Sequence, residues 1–367
     1  MYPLLRTLLF LLDAETSHRL TLTFLRIVNK IPGMAMLLRA LYRPQSKALA
    51  VDIMGLHFPN PVGLAAGLDK NAECTRVMSN LGFGGVEIGT VTPRPQPGNE
   101  TKRLFRLPQH RALINRMGFP SIGIDAFLNN LRRNNKSGVV GINIGKNKNT
   151  PNDKAIDDYL SAFRATYSSA DYIAINISSP NTPNLRDLQS SDALDDLLKA
   201  LKHEQIMLGK TLGIYVPIAL KISPDLDQAE LVAIADMVLK HKLDAIIATN
   251  TTIDRDGVEG ELLATEIGGL SGRPLKEKST QVVRILYNHL KGKIPIIGVG
   301  GIENANDAWD RLVAGADFLQ IYTGFIFEGP AIIKRICRGL EKRISASGCK
   351  TLTEAVEVAR TGVHLMR

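Results

Sequence analysis

From Val62 onward, short apolar runs alternate with stretches of helical periodicity, which predicts repeated strand–helix units around a parallel sheet. Eight runs carry the pattern: PVGLAAG (61 to 67), GGVEIGT (84 to 90), VVGINIG (139 to 145), DYIAINIS (171 to 178), PIALKIS (217 to 223), DAIIATN (244 to 250), PIIGVGG (295 to 301) and DFLQIYT (317 to 323). Eight such units closing on themselves make a (β/α)8 barrel of the α/β class. Nearly every run ends in Gly, Asn, Ser, Thr or Lys, and in such barrels the C-terminal strand ends build the active site. Just upstream, ALAVDIMGLHFPN (48 to 60) reads as two short strands turned at Gly55, a hairpin plugging the N-terminal end of the barrel.

The first 44 residues or so follow a different period. Leu4, Leu5, Leu8, Leu9 and Leu12 recur at helical spacing, as do Leu22, Leu25 and Val28, with Pro32 and Gly33 ending the second pattern. Two short amphipathic helices are expected, as a lid on the barrel or as helices lying in a membrane interface. The chain thus divides into an N-terminal helical segment (1 to 44), a barrel (45 to 338) and a helical tail without chemical motif (339 to 367).

Charge sharpens the picture of the first segment. The chain carries a formal +9, and seven basic residues (Arg6, Arg19, Arg26, Lys30, Arg39, Arg43, Lys47) face only Asp13 and Glu15 in the first fifty positions. Such an excess favours an anionic partner. Only 5% of residues are aromatic, and no Lys/Arg run interleaves with them, so nucleic acid is not expected as a partner. Leu8 to Leu12 is too short, and too soon stopped by Asp13 and Glu15, to read as a signal peptide. No stretch approaches the roughly 20 apolar residues of a spanning helix. Cys74, Cys337 and Cys349 lie far apart, which indicates neither a disulfide framework nor a thiolate metal site.

The chemistry-bearing residues sit at the strand ends. The fourth run passes into Asn176-Ile177-Ser178-Ser179-Pro180-Asn181-Thr182-Pro183, where amides flank serines. Asparagine offers a donor and an acceptor, so a pair matches the alternating N–H and C=O edge of a pyrimidine or cyclic imide; an Asx or Ser turn closing the loop is the plainer reading. Gly298-Val299-Gly300-Gly301 and Tyr322-Thr323-Gly324 follow the seventh and eighth strands, where this fold commonly binds phosphate. Lys70 ends AAGLDK, and Lys221 lies within the fifth strand, so each needs an anion or electron-rich acceptor, or a barrel carboxylate, to offset its burial. Asn115 to Phe119, Asn143, Lys146, Asn147 and Thr249-Asn250-Thr251 add amides and hydroxyls. None of the seven histidines falls in these motifs, which argues against His-driven acyl transfer, and the scarcity of carboxylates, Asp69 being the exception, argues against a metal or glycosidase site.

Taken together, AAGLDK (65 to 70), EIGTVTPRPQPGN (87 to 99), NRMGF (115 to 119), GINIGKN (141 to 147), NISSPNTP (176 to 183), ATNTT (248 to 252), GGLSGRP (268 to 274) and IIGVGGI (296 to 302) resemble the class 2 dihydroorotate dehydrogenases, across residues 1 to 338. Ser179, where soluble class 1 relatives have cysteine, separates the classes. The resemblance implies an FMN cofactor contacted by Ala65, Ala66, Gly67, Leu68, Asp69, Thr90, Asn143, Asn176, Lys221, Thr249, Gly272, Gly301, Tyr322 and Thr323. It implies orotate contacts from Lys70, Asn115, Arg116, Met117, Gly118, Phe119, Asn176, Asn181, Asn250 and Thr251, and a quinone tunnel lined by His18 and Arg106. One departure is Asn184, where the family motif usually has glycine.

The implied reaction removes a proton from C5 of dihydroorotate and a hydride from C6, with Ser179 as the base, in the de novo pyrimidine pathway. A hydroxyl is a poor base, so Ser179 must hand its proton on, with Thr182 or a trapped water nearest, while Lys221 stabilises the reduced flavin. The expected partners are dihydroorotate, a membrane quinone and an anionic lipid surface, for a monomer held peripherally on the cytoplasmic side of a bacterial inner membrane. A soluble flavin dehydrogenase using fumarate or NAD is disfavoured by Ser179 and the basic helical N-terminus. A non-catalytic flavin or pyrimidine sensor is disfavoured because base, anion site and electron exit are all present.

Overall fold

The computed structural model describes residues 2–134 and 136–362. Each of the eight apolar runs forms a strand: β1 (Val62–Leu64), β2 (Gly85–Val91), β3 (Val139–Ile144), β4 (Tyr172–Asn176), β5 (Ile218–Ile222), β6 (Ala245–Ala248), β7 (Ile296–Val299) and β8 (Phe318–Ile321). All pair in parallel, each with the next in sequence, and β8 returns to β1 to close the barrel. Their Val, Ile and Ala side chains are almost wholly buried between the lumen and the surrounding helices, which is why these runs are continuous rather than alternating.

Three of the quoted motifs begin with aspartate, and the structure gives the reason. The carboxylates of Asp171, Asp244 and Asp317 each accept the backbone N–H that opens a neighbouring strand region, from Val140, Ile218 and Ile296, all at 2.8 Å. These acceptors satisfy amides at the barrel's N-terminal rim that would otherwise lack a ladder partner. Below that rim the expected hairpin forms, Val51–Ile53 against Leu56–Phe58, with Met54 and Gly55 both at positive φ in its turn. Phe58 packs its ring on Phe318 at 4.4 Å and plugs the base.

Two features differ from the sequence reading. The N-terminal segment contains three helices, not two: α1 (Tyr2–Phe10), α2 (Ala14–Lys30) and α3 (Met34–Tyr42). Pro32 and Gly33 do end α2, but Gly33 at φ 80° is also the N-cap of α3, so the chain turns there and resumes. Moreover, the NRMGF and GGLSGRP motifs belong to an antiparallel sheet of Leu104–Leu107, Ala112–Asn115 and Gly269–Gly272 standing over the barrel mouth. The tail is helical, Ala331–Ser347 then Leu352–Thr361, and its last five positions, 363 to 367, lie outside the described residues.

Candidate active site

A cavity of about 1150 Å³, counted with its open mouth, lies at the C-terminal strand ends beneath the antiparallel sheet. Most of the residues singled out from the sequence meet on its wall: Ala65 to Gly67, Lys70, Thr90, Asn115, Met117 to Phe119, Asn176, Ser179, Asn181, Lys221, Thr249 to Thr251, Gly272, Gly301, Tyr322 and Thr323. Six do not line it. Leu68 is buried behind the wall, and Asp69 turns its carboxylate to accept from Glu73 N, Cys74 N and Thr75 Oγ1. Burial nevertheless pushes the Asp69 carboxyl up to about 6, against those hydrogen bonds. Asn143 sits behind Thr90 and Asn176, and Arg116 points outward, paired with Glu266 and stacked over Phe105.

The amides form a connected floor. Asn176 donates to Thr90 Oγ1 at 3.0 Å and to Asn143 Oδ1 at 3.2 Å, while its own Oδ1 accepts from Asn250 at 3.2 Å. At the mouth, Asn181 donates its side-chain amide to Asn115 Oδ1 at 3.1 Å and its backbone N–H to Ser179 Oγ at 3.3 Å. Ser179 is thereby buried with its hydroxyl oriented by one backbone donor. Asn184 adopts φ 55°, the left-handed conformation that explains a glycine preference there and that asparagine tolerates better than other side chains.

Three polar atoms on or next to the wall and one cation on it lack a hydrogen-bond partner among the described residues. Thr182 Oγ1, Thr251 Oγ1 and Gln320 Oε1 are buried without a partner, and Lys221 Nζ makes no hydrogen bond among the described residues. Burial lowers the Lys221 ammonium's pKa, opposed by Glu87. Lys70 donates to Gly67 O at 2.5 Å, and burial brings it down to about 8 although Glu15 supports its charge. On the opposite wall Gly300 and Gly301 hold positive φ, and a Cβ on Gly301 would meet Lys276 N at 2.7 Å. The wall continues through Tyr322 and Thr323, whose Oγ1 shares a 2.8 Å hydrogen bond with Ser271.

His18 and Arg106 lie where α2 meets the sheet over the mouth. Burial first, then the charge of Lys70, pushes His18 down to about 3, so it is a neutral ring beside Lys70. Arg106 donates to Phe10 O at 3.1 Å, Leu12 O at 2.9 Å and Ser17 Oγ at 2.9 Å, and stacks on Phe10. Its plainest work is to close the elbow between α1 and α2 by satisfying carbonyls that the helix end leaves free.

Sequence reasoning passed over Glu87, Tyr172 and Gln320. Glu87 is fully buried in the lumen, where its carboxylate accepts from Asn143 Nδ2 at 2.9 Å, Tyr172 Oη at 2.9 Å and Gln320 Nε2 at 2.8 Å. The available signal was a charged or amide side chain inside an otherwise apolar strand, in GGVEIGT and DFLQIYT.

The sequence profile of the family described as Dihydroorotate dehydrogenase matches residues 48–344. A protein of Cronobacter sakazakii named Dihydroorotate dehydrogenase (quinone) is 52% identical over 335 residues, 91% of this chain and 98% of that one. One of the same name from Thiobacillus denitrificans is 52% identical over 334 residues, 91% and 97% of the two chains. Among solved structures, DHODH of Eimeria tenella in complex with ferulenol superposes with a TM-score of 0.85 at 37% identity, covering 94% of this chain and 95% of the other. Its ligand-free form gives 0.79 at 39% identity, covering 90% and 97%. With its barrel, its amide-lined cavity and these relatives, the chain belongs to the quinone-type dihydroorotate dehydrogenase family.

Proposed function

We propose that this protein oxidises dihydroorotate to orotate in pyrimidine biosynthesis, through an FMN held in the barrel mouth and with a membrane quinone as final acceptor. The observation that carries the reading is the convergence of a buried serine, a linked amide floor and two buried lysines on one cavity. The residues fit the cofactor: Lys221 offers a cation without a hydrogen-bond partner among the described residues, Gln320 an unpartnered acceptor, and the Gly300–Gly301 and Tyr322–Gly324 turns offer backbone amides for a phosphate. When bound, the flavin supplies the acceptor for the C6 hydride and passes the electrons on to quinone.

The protein's own part is to grip and deprotonate. Asn115, Asn181, Asn176 and Asn250 present matched donors and acceptors to the pyrimidine edge, and Lys70 meets the carboxylate. Ser179 Oγ takes the C5 proton and passes it on, with Thr182, whose Oγ1 is buried and unpartnered, as the next oxygen. Lys221 stabilises negative charge on the reduced cofactor. On this reading the protein sits, as a monomer, on the cytoplasmic face of a bacterial inner membrane by α1 to α3, whose exposed leucines and basic residues suit a bilayer surface; no described helix is long and apolar enough to cross one. His18 and Arg106 flank the quinone's path between these helices and the mouth.

The test is spectroscopic. Purified protein should be yellow, bleach anaerobically with dihydroorotate, and recolour with a ubiquinone analogue but not with fumarate. Recolouring by fumarate alone would replace the quinone reading with that of a soluble-type enzyme.

A further inference from the structure

We infer that Glu87 is a positioning residue that sets the polarity of the cavity floor and balances Lys221, and so tunes both the flavin and the grip on orotate. The inference rests on the flavin reading above. Three donors converge on this carboxylate from three different strands: Asn143 Nδ2 of β3, Tyr172 Oη of β4 and Gln320 Nε2 of β8. A carboxylate in this setting only accepts, so each amide must turn its N–H2 toward it and its oxygen away.

That constraint propagates. With Nδ2 committed to Glu87, Asn143 presents Oδ1 to Thr90 Oγ1 and to Asn176 Nδ2. Asn176 must then present its Oδ1 to Asn250 Nδ2, which fixes the last amide, whose Oδ1 accepts from Thr251 N at 2.8 Å. One buried charge therefore dictates which end of each amide Asn176 and Asn250 offers at the cavity wall. On the other branch, Gln320 gives its Nε2 to Glu87 and Tyr172, which leaves Oε1 as the unpartnered acceptor for the cofactor. Glu87 is also the negative group acting on Lys221, whose ammonium has no hydrogen-bonding partner among the described residues. Burying a charged group without such a counter-charge is costly.

Glu87→Gln retains the shape but brings a donor into a site built for three donors, so either Asn143 or Gln320 must flip. Measured on the holoenzyme, this variant should bind orotate at least tenfold more weakly by flavin-absorbance titration. Removing the negative charge leaves Lys221 less balanced, so the two-electron potential should rise, by about 30 mV for each tenfold gain in preference for the reduced flavin. Glu87→Asp keeps the charge but shortens the reach; it should hold the potential near wild type and still weaken orotate. A merely structural role would lower the melting temperature of both variants while leaving potential and orotate affinity as in wild type, and that result overturns the inference. If the Gln variant does not fold, the Asp variant decides alone, since unchanged orotate affinity there overturns the polarity argument. A wild-type protein that binds no FMN on reconstitution would instead defeat the flavin reading itself.

Discussion

The barrel mouth and the N-terminal helices use the same residues in opposite ways. Around the mouth, apolar side chains are buried and polar ones are turned inward and hydrogen-bonded to one another. In α1 to α3 many apolar side chains face out, with Leu4 75% and Leu8 63% exposed, although Leu22, Leu25 and Leu38 pack on the barrel core; α1 and α3 bury no residue fully. Polar contacts add to that packing: Arg6 to Phe327 O, the Arg103–Glu15 pair at 2.7 Å, and Arg106 across the α1–α2 elbow. A lid that sealed the barrel would spend its leucines on the contact. Here arginines share in the attachment, and Leu4, Leu5, Leu8, Leu20, Leu37 and Leu41 remain for another apolar phase, with Arg19, Lys30 and Arg39 exposed beside them.

If the mouth alone performs the chemistry, removing its base should have the largest effect. Ser179→Ala should retain yellow flavin and bind orotate, yet slow anaerobic bleaching by roughly 10² to 10⁴. Near-normal bleaching would move the base elsewhere. The helices predict the complementary phenotype. Replacing the outward leucines Leu4 and Leu8 of α1 and Leu11 just after it with Ser should weaken association with anionic liposomes by about 10³ and slow reoxidation by a long-chain quinone, since burying each leucine contributes roughly 1.5 kcal/mol or more. Bleaching by dihydroorotate should not change. Unaltered liposome binding would make these helices a structural lid after all.

Legibility in the sequence follows the same division. The eight strands could be read because burial on both faces makes them continuous apolar runs, and the site because its amides cluster just past them. Leu9 shows where pattern reading stops: it shares the helical spacing of Leu5 and Leu8 but is partly covered, because the elbow held by Arg106 and Ser17 turns it inward. The third helix was hidden by Pro32-Gly33, a signal that marks a stop without saying whether a helix resumes. Glu87 escaped because a role assembled from three strands 56 to 233 residues away in sequence leaves no local spacing to find.

A smaller effect should come from Lys70, the lysine proposed to meet the substrate. Lys70→Ala removes a charge-assisted contact to the orotate carboxylate, so affinity should fall by roughly 2 to 3 kcal/mol, on the order of 30- to 150-fold. Titration by flavin absorbance measures it, and an unchanged dissociation constant would assign the carboxylate to another group.

The smallest expected effect tests whether the two regions are as separate as their surfaces suggest. Burial lowers Lys70 to about 8, while Glu15 of α2 supports its charge and Arg103 opposes it. Below pH 8 the free protein already carries the ammonium, and orotate binds without proton uptake. Above it, binding must first protonate the lysine, so affinity should fall with a slope approaching tenfold per pH unit until the bound-state value is reached. Glu15→Gln removes the supporting anion and leaves Arg103 unneutralised. Both changes disfavour the ammonium, so the falling limb should move to lower pH, with affinity at pH 8 reduced about two- to threefold, a fraction of a pKa unit. If the limb stays in place, α2 contributes nothing to the substrate site and the division between N-terminal helices and barrel mouth is complete. If it moves, one carboxylate of the N-terminal helices reaches across the boundary, and detachment of α2 from the mouth should weaken orotate binding in the same direction.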